Sequence, residues 1–208
     1  EQQWQSQIRQ APSESTVSAR QSSFIISLPD ENGQLLSFRV VEAPVMDPAL
    51  AARYPGIQSY AGTGLTDPSQ TVRFSTGTDG FHGMILRPGQ PTVYIDPVGE
   101  NDRYYVSFAR SAALGDRHFS CETPESAVTD NPPLTAGRAA DDGRLRTYRL
   151  ALASTGEYSQ YFLNGTETTD AQRKAKVLTA MNTAMTRANA IYERDMGIRM
   201  VLIANNDA

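Results

Sequence analysis

The residues of this sequence best suited to chemistry are one cysteine and two histidines. Cys121 is the only thiol, and His118 precedes it by three residues. A thiolate is a nucleophile and a metal ligand, and a neighbouring imidazolium lowers the pKa of a thiol. A free cysteine is also among the residue types most often buried as a small hydrophobic side chain. Taken alone, the residues favour a packing role for Cys121 and a surface position for His118, with metal ligation as the alternative.

The small number of these residues excludes several kinds of site. One cysteine rules out an intrachain disulfide and a zinc site made of several cysteines, and two histidines rule out a three-histidine site built from this chain alone. His82 alternates with apolar residues in a strand-like segment. This pattern favours a hydrogen-bonded position at a sheet edge over a metal ligand.

Length, charge and hydropathy exclude further classes of function. The 208 residues are enough for one or two domains with a hydrophobic core. A net charge of −4 argues against a protein that holds nucleic acid through phosphate contacts. No apolar run approaches the roughly 18 residues of a membrane-spanning helix, so we expect neither nucleic acid nor a membrane as a partner.

The first half of the chain is predicted to be β-rich. Residues 1–22 are rich in Gln, Ser and Glu, which predicts a flexible segment in which Trp4 and Ile8 form at most one helical turn. Six or seven short strands, with a turn signal about every ten residues, predict an antiparallel sandwich or rolled sheet over residues 23–121.

Two features interrupt this strand pattern. Asp47 followed by Pro48 predicts the start of a short helix that ends before Pro55. Gly62, Gly64, Asp67 and Pro68 predict a loop a few residues later.

Residues 122–146 are predicted to be a linker between two domains. Prolines and glycines break any regular element there, and acidic and basic residues keep the segment in water. Three of its arginines are candidate processing sites for proteases that cut after basic residues: Arg138, Arg144 and Arg146. An uncut spacer is the alternative.

Residues 147–208 are predicted to form a strand, a long helix and a second strand. Thr169 and Gln172 have the spacing of a capping box, and Gly197 is a suitable helix end. Between them runs one apolar stripe at helical spacing: Ala171, Ala175, Leu178, Met181, Met185, Ala188 and Tyr192. The three acidic and basic residues from 193 to 195 are predicted to be a solvated helix end, and Met196 is predicted to belong to the core. Because two parallel strands and one helix do not cover both faces of a sheet, we expect the opening part of a larger domain.

Two stretches of this region carry a resemblance to a known family. The run YRLALASTGEY at residues 148–158 is similar to the first strand of the catalytic domain in bacterial reprolysin-like zinc metallopeptidases, a group of metzincins. The run MNTAMTRANAIYERDMGIRM at residues 181–200 resembles their first long helix and second strand. Shorter strings at residues 42–46, 54–60 and 80–85 resemble their propeptide. The resemblance implies an α+β fold, with a β-rich antiparallel propeptide domain followed by the β-α-β start of a zincin-type catalytic domain.

The resemblance further implies a secreted zinc endopeptidase that is made as a zymogen and acts on proteins or peptides. Such enzymes hold zinc with a His-Glu-x-x-His helix and a third histidine. No such string occurs in these 208 residues. We therefore expect no catalytic residue in this chain, zinc bound mainly by residues outside it, and the remainder of the catalytic domain as its partner.

In this family context Cys121 acquires a specific expected role. Its thiolate would occupy the zinc position where the attacking water sits, and so keep the enzyme latent. The propeptide would also assist folding. Cleavage within residues 122–146, at Arg138, Arg144 or Arg146, would then free the substrate cleft.

Two functions of other classes stay open at this point. The chain is alternatively a non-catalytic partner, a folding chaperone or inhibitor that binds a separate mature enzyme. It is alternatively a β-sandwich adhesion or carbohydrate-binding module, in which Tyr94, Tyr104 and Tyr105 stack on sugars.

Overall fold

The protein is described from a computed structural model that covers residues 2–99, 104–112 and 143–207. In chain order these residues form α1 (Gln2–Ile8), β1 (Ile25–Pro29), β2 (Leu35–Glu42), α2 (Pro48–Arg53), β3 (Gln58–Gly64), β4 (Thr71–Gly77), β5 (Gly80–Leu86), β6 (Val93–Pro97), β7 (Tyr105–Ala109), β8 (Arg146–Leu150), α3 (Gly156–Tyr161), α4 (Asp170–Met196) and β9 (Ile198–Leu202). The mixture of an antiparallel sheet with helices confirms the α+β class. None of the helices in these ranges is long and apolar enough to cross a bilayer.

The first seven strands form one antiparallel sheet in which each strand pairs with the next. The sheet curls so that its two edge strands come into contact. The hydroxyl of Ser107 on β7 donates a 3.0 Å hydrogen bond to the carbonyl of Pro29 on β1. A single rolled sheet is therefore the form that the strand pattern takes. We refer to β1–β7 as the roll.

The inside of the roll is an apolar core. Alternate residues of the strands point into it, as the period of two requires, and they are almost fully buried: Leu28, Phe38, Val40, Tyr60, Val72, Phe74, Phe81, Ile85, Val93 and Ile95. Helix α1 lies within the segment predicted to be flexible and adds Ile8 to this core. Trp4 packs edge-on against Phe81 at 5.0 Å between ring centroids, so the predicted helical turn docks on the roll.

The predicted loop is right at Asp67 and Pro68, which lie between β3 and β4, but wrong at Gly62 and Gly64, because both glycines lie in β3. A Cβ added at Gly62 would stand 2.7 Å from Cγ1 of Val72 on the next strand. Glycine is required here by close packing within the sheet rather than by a turn.

The C-terminal region has the predicted β-α-β order. Strands β8 and β9 are parallel, with Arg146 opposite Ile198 and Leu150 opposite Leu202. Helix α4 begins at the predicted capping box, in which Thr169 and Gln172 bond to each other's backbone. It ends at Gly197, whose φ of 62° is the left-handed conformation that glycine adopts without strain.

Helix α4 packs on two different layers. One side lies across the outer face of the roll, over β3 and β4, and the other side packs on β9. At Gly77 the helix approaches so closely that a Cβ would collide with the side chain of Thr179. The region around α4 is thus where the N-terminal and C-terminal halves of the described chain meet.

Candidate functional site

The residues predicted to act on zinc or in processing are only partly within the described ranges. Cys121, His118 and Arg138 lie outside them. Arg144 is exposed two residues before β8. Arg146 is the first residue of β8, and its amide donates a 2.8 Å hydrogen bond to the carbonyl of Gly197. A protease needs an extended and unpaired backbone, so cleavage next to Arg146 would require this end of β8 to open.

His82 lies between two carboxylates and an arginine. Its Nδ1 is 2.7 Å from Oδ1 of Asp96 on β6, and its Nε2 is 3.2 Å from Oδ2 of Asp79. The Asp79 contact is an ion pair. Burial alone lowers the pKa of His82, but Asp79 and Asp96 outweigh burial and raise the pKa to about 9.

The two carboxylates favour the protonated form of His82, which bears on whether it can bind a metal or accept a proton. A protonated imidazole has no lone pair with which to bind a metal or accept a proton. His82 is hydrogen-bonded as predicted, but the predicted edge position is wrong, because β5 pairs with both β4 and β6. Across residues 2–99, 104–112 and 143–207, no three His, Cys, Asp or Glu side chains are grouped as a metal site requires. The described residues therefore do not fit zinc.

The most distinctive feature of the described chain is a segment of the N-terminal half that pairs with β9. We call residues 43–57 the strap. The amide of Leu202 donates a 2.9 Å hydrogen bond to the carbonyl of Val45, and the amide of Asp47 donates a 2.8 Å bond to the carbonyl of Leu202. Met46 and Leu202 accordingly form a parallel bridge. The strap thus extends the two-stranded C-terminal sheet by a short third strand.

The next pair of polar groups along this edge of β9 bonds to a side chain instead of a strand. The amide of Met200 donates to Oδ1 of Asn189 at 2.9 Å, and Nδ2 of Asn189 donates to the carbonyl of Met200 at 2.8 Å. The side-chain amide of Asn189 therefore substitutes for a peptide group. Asn189 and the strap together satisfy the outward-facing amides and carbonyls of Met200 and Leu202 on β9.

The outer edge of β8 differs from that of β9. Arg146 and Leu150 direct their backbone bonds towards β9, so the alternate residues Thr147 and Arg149 direct theirs away from it. In the part of the chain that the structure describes, no strand pairs with that side of β8. Within these residues the small sheet is complete at β9 and open at β8.

Below this small sheet lies a second hydrophobic core, to which both halves of the chain contribute. The strap supplies Val45, Met46, Leu50 and Ile57, and the C-terminal region supplies Leu178, Met181, Met185 and Leu202. Leu50, on α2, is completely buried. The middle of the predicted apolar stripe, at Leu178, Met181 and Met185, is therefore core, as expected. Its two ends are not, because Ala171 is exposed and Tyr192 is 36% exposed, and Met196 is 44% exposed. The strap thus supplies half of the buried residues of this core.

An ion pair closes the far end of the strap. Arg53 contacts both carboxylate oxygens of Asp207, at 3.1 Å from Nε and 2.7 Å from Nη2. The hydroxyl of Tyr54 donates to the same carboxylate at 3.0 Å. The hydrogen bond from Arg53 holds the pKa of Asp207 below its ordinary value. Asp207 is thus a charged acceptor for two neighbouring strap residues.

The contact between α4 and the roll is polar, in contrast to the two cores. We call it the polar seam; it is formed by buried side chains of the roll, Ser59 and Ser75, and of α4, Thr179, Asn182, Thr183 and Thr186. Ser59 donates to Oδ1 of Asn182 at 3.0 Å, and the hydroxyls of Ser75 and Thr183 are 2.9 Å apart. Buried polar groups paired in this way match and orient two surfaces with little net gain in stability.

Charged residues border the polar seam on two sides. Towards the C-terminus of α4, Glu193 pairs with Arg73 of the roll and with Arg199 of β9. Arg199 also pairs with Glu14. At the other border Arg187 of α4 pairs with Asp96 beside His82. The prediction that residue 193 belongs to a solvated helix end is wrong, because its side chain is only 17% exposed and holds two arginines.

A cleft of about 590 Å³ adjoins this border, between the roll and the end of α4. Its charged lining residues are Arg73, Arg87, Glu193 and Arg194. Each already has a partner of opposite charge within the chain. The cleft therefore presents neutralised ion pairs rather than an uncompensated charge for a ligand.

The sequence of α4 contains a second helical stripe that indicates the polar seam and was not among the sequence-based predictions. Thr179, Thr183, Thr186, Ala190 and Glu193 recur at steps of four and three along α4. This is a second helical stripe of small, polar and acidic residues beside the apolar one. Two stripes on one helix indicate two packing partners of different polarity.

Comparison with known proteins relates the C-terminal region to one family. Residues 144–208 match the Metallo-peptidase family M12B Reprolysin-like. The match begins just before β8 and includes α3, α4 and β9. No curated protein and no solved structure matches the chain. The last third of the chain is thus a region related to reprolysin-like metallopeptidases.

Proposed function

We propose that this chain is the propeptide and the opening part of the catalytic domain of a secreted zinc endopeptidase zymogen. The observation that carries the proposal is the reprolysin-like match of residues 144–208. The roll and the strap would be the propeptide, and β8, α3, α4 and β9 would be the start of the catalytic domain. The proposal concerns a whole protein to which these residues contribute.

The packing around the strap supports a role of the N-terminal half in folding. The reprolysin-like region has a core that is half supplied by the strap, and one edge of its sheet is occupied by the strap. An unpaired sheet edge and an incomplete core favour aggregation. A propeptide that covers both would guide this region to its fold, and the unpaired edge of β8 is where further strands of a catalytic domain would add.

Latency is the second part of the proposed role. Cys121 is the only cysteine and precedes the reprolysin-like region in the sequence, as an inhibitory zinc ligand would. The chain contains no His-Glu-x-x-His string, so the zinc ligands of an active enzyme would be supplied by polypeptide outside these residues. Processing at Arg138, Arg144 or Arg146 would separate the propeptide from the enzyme.

The full-length gene product provides the test. Zinc content and casein hydrolysis are measured before and after processing, for the wild type, Cys121→Ser and the neighbouring control Ser120→Ala. We expect zinc in all three proteins, and hydrolysis before processing only in Cys121→Ser. A wild-type precursor as active as the processed enzyme would overturn latency, and a processed protein without zinc or hydrolysis would overturn the proposed enzyme.

The described residues do not favour a carbohydrate-binding module. The strands form one rolled sheet rather than two facing sheets. Tyr94 covers the guanidinium of Arg187 at 5.1 Å, and the hydroxyl of Tyr105 accepts a hydrogen bond from the amide of Phe81. Of the three tyrosines considered, only Tyr104 has most of its surface exposed, at 76%.

A further inference from the structure

We propose that the strap is the recognition element between the two halves, and that it keeps residues 2–112 and 143–207 together as a non-covalent complex after the chain is cut between them. The surface that it occupies consists of the outer edge of β9 and the apolar face of α4. This inference depends on packing alone and is independent of zinc binding and of peptide hydrolysis.

The receiving surface specifies the chemistry of its partner. The edge of β9 offers the amide and carbonyl of Leu202 to an extended backbone. Leu178, Met181 and Met185 line an apolar site next to it. Asp207 then offers a carboxylate to a basic side chain. The fitting partner is an extended apolar segment followed by a short helix that presents a leucine and an arginine.

The strap satisfies each of these requirements in sequence order. Met46 forms the bridge to β9, Leu50 enters the core, and Arg53 reaches the carboxylate of Asp207. Asp47 caps the helix that carries the last two by accepting from the amide of Ala49. This cap stabilises the short helix of the strap, which would reduce the entropy lost on association.

The strap rather than the polar seam should supply most of the affinity. When the halves separate, the hydroxyls of the polar seam and Oδ1 of Asn182 exchange their partners for water, so little free energy is lost. The apolar side chains of the strap instead expose their surface to water, which is unfavourable in proportion to the area exposed. The polar seam would then determine orientation, and the strap would determine affinity.

The experiment uses the full chain with a recognition site for a sequence-specific protease inserted between Thr135 and Ala136. A denaturing gel verifies complete cleavage. Size-exclusion chromatography then shows whether the two pieces elute together, and dilution gives the dissociation constant. We expect the cut wild type to elute as one species at low micromolar concentration. Elution of two separate pieces would overturn the proposal.

Matched variants separate the strap from general stability. Leu50→Ala and Ile85→Ala remove the same volume from completely buried positions, in the shared core and inside the roll respectively. We expect Leu50→Ala to weaken the complex by at least ~30-fold and Ile85→Ala by less than ~3-fold. Thr183→Val, in the polar seam, should weaken it by less than ~5-fold. A larger effect of Thr183→Val than of Leu50→Ala would overturn the assignment to the strap.

A charge exchange keeps the test valid if Leu50→Ala does not fold. Arg53→Asp should weaken the cut complex by ~5-fold or more, and combining it with Asp207→Arg should restore most of the affinity. Arg173→Asp serves as a control, because Arg173 pairs with Asp170 within the C-terminal piece. Equal dissociation constants for Arg53→Asp and Arg173→Asp would count against the strap.

Discussion

Oδ1 of Asp96 lies 2.7 Å from Nδ1 of His82 on the adjacent strand, and the same carboxylate pairs with Arg187 of α4. One carboxylate thereby links two strands of the roll to the helix of the reprolysin-like region. The net charge of this cluster depends on the protonation of His82. The junction between the two halves should therefore respond to pH.

The pKa of His82 gives the direction of this response. Its pKa of about 9 in the folded protein is above its ordinary value of 6.5, so protonation favours folding. The stabilisation is complete below about pH 6.5 and is lost as the pH rises through about 9. Urea unfolding of the wild type and His82→Gln should show a difference of ~3 kcal/mol at about pH 6 that disappears near pH 10. A constant difference would contradict the charged state of His82.

The contribution of Asp96, in the same cluster, to stability depends on pH in the opposite sense. Although burial opposes it, His82 and Arg187 hold the pKa of Asp96 below its ordinary value. Ionised Asp96 therefore stabilises the fold above about pH 4, and this contribution is lost as the pH falls further. In Asp96→Asn the loss of stability between about pH 4 and pH 2 should be smaller than in the wild type. Asp67→Asn should change this loss less than Asp96→Asn does, because the pKa of Asp67 is lowered only by local hydrogen bonds in an exposed loop, chiefly to Ser69.

Glu193 is the residue whose loss should most weaken the charged border of the polar seam. Its carboxylate serves Arg73 and Arg199, whose side chains are only 8% and 14% exposed. Glu193→Gln leaves the guanidinium of Arg73 without its anionic partner and leaves Arg199 with Glu14 alone, so it should cost ~3 kcal/mol of unfolding free energy. Asp195→Asn, two residues further on the same helix, breaks an exposed pair and should cost less than ~0.5 kcal/mol. Similar losses in both variants would contradict this assignment.

Local sequence signals predicted the strands and helices around this junction well, but they did not predict the contacts between these elements. The alternation of Leu36, Phe38 and Val40 is a property of one strand, and the capping box of Thr169 and Gln172 lies within four residues. Such signals act over short range, so they are visible in the chain. The structure bears out the strands and the two ends of α4 for this reason.

Contacts between distant segments carry no comparable signal. Leu202 is joined to Val45 and Asp47 by one pair of backbone hydrogen bonds between segments far apart in the chain, and neither neighbouring sequence encodes that register. Glu193 stands in a charged triplet that is typical of a solvated helix end, and only the positions of Arg73 and Arg199 show otherwise. The zinc role of Cys121 and cleavage at Arg138 stay predictions, because both residues lie outside the described ranges.

The close approach of α4 to the roll predicts a strong effect at one glycine. Gly77→Ala should cost ~2 kcal/mol, because its Cβ would displace the side chain of Thr179, which bonds to Thr78 and Ala175. Thr179→Ser removes the methyl group nearest to the added Cβ, so the double variant should lose less than the sum of the single variants. Gly56→Ala, where a Cβ meets nothing within 4 Å, should change stability by less than ~0.5 kcal/mol. Thermal and urea unfolding measure all four proteins, and strict additivity would contradict the close approach.

The side-chain amide of Asn189 takes the place of a neighbouring strand at the edge of β9, so replacing it should destabilise that edge. Asn189→Leu keeps the branched shape of the side chain but leaves the part-buried amide and carbonyl of Met200 without partners, which should cost ~2–4 kcal/mol. Hydrogen exchange distinguishes this cause from a packing defect. The Met200 amide should lose its protection in the variant, while the Leu202 amide, bonded to the strap, should keep it. Asn205→Leu, at an exposed position, should change neither amide, and equal loss of protection at both amides in Asn189→Leu would show that the whole edge depends on this side chain.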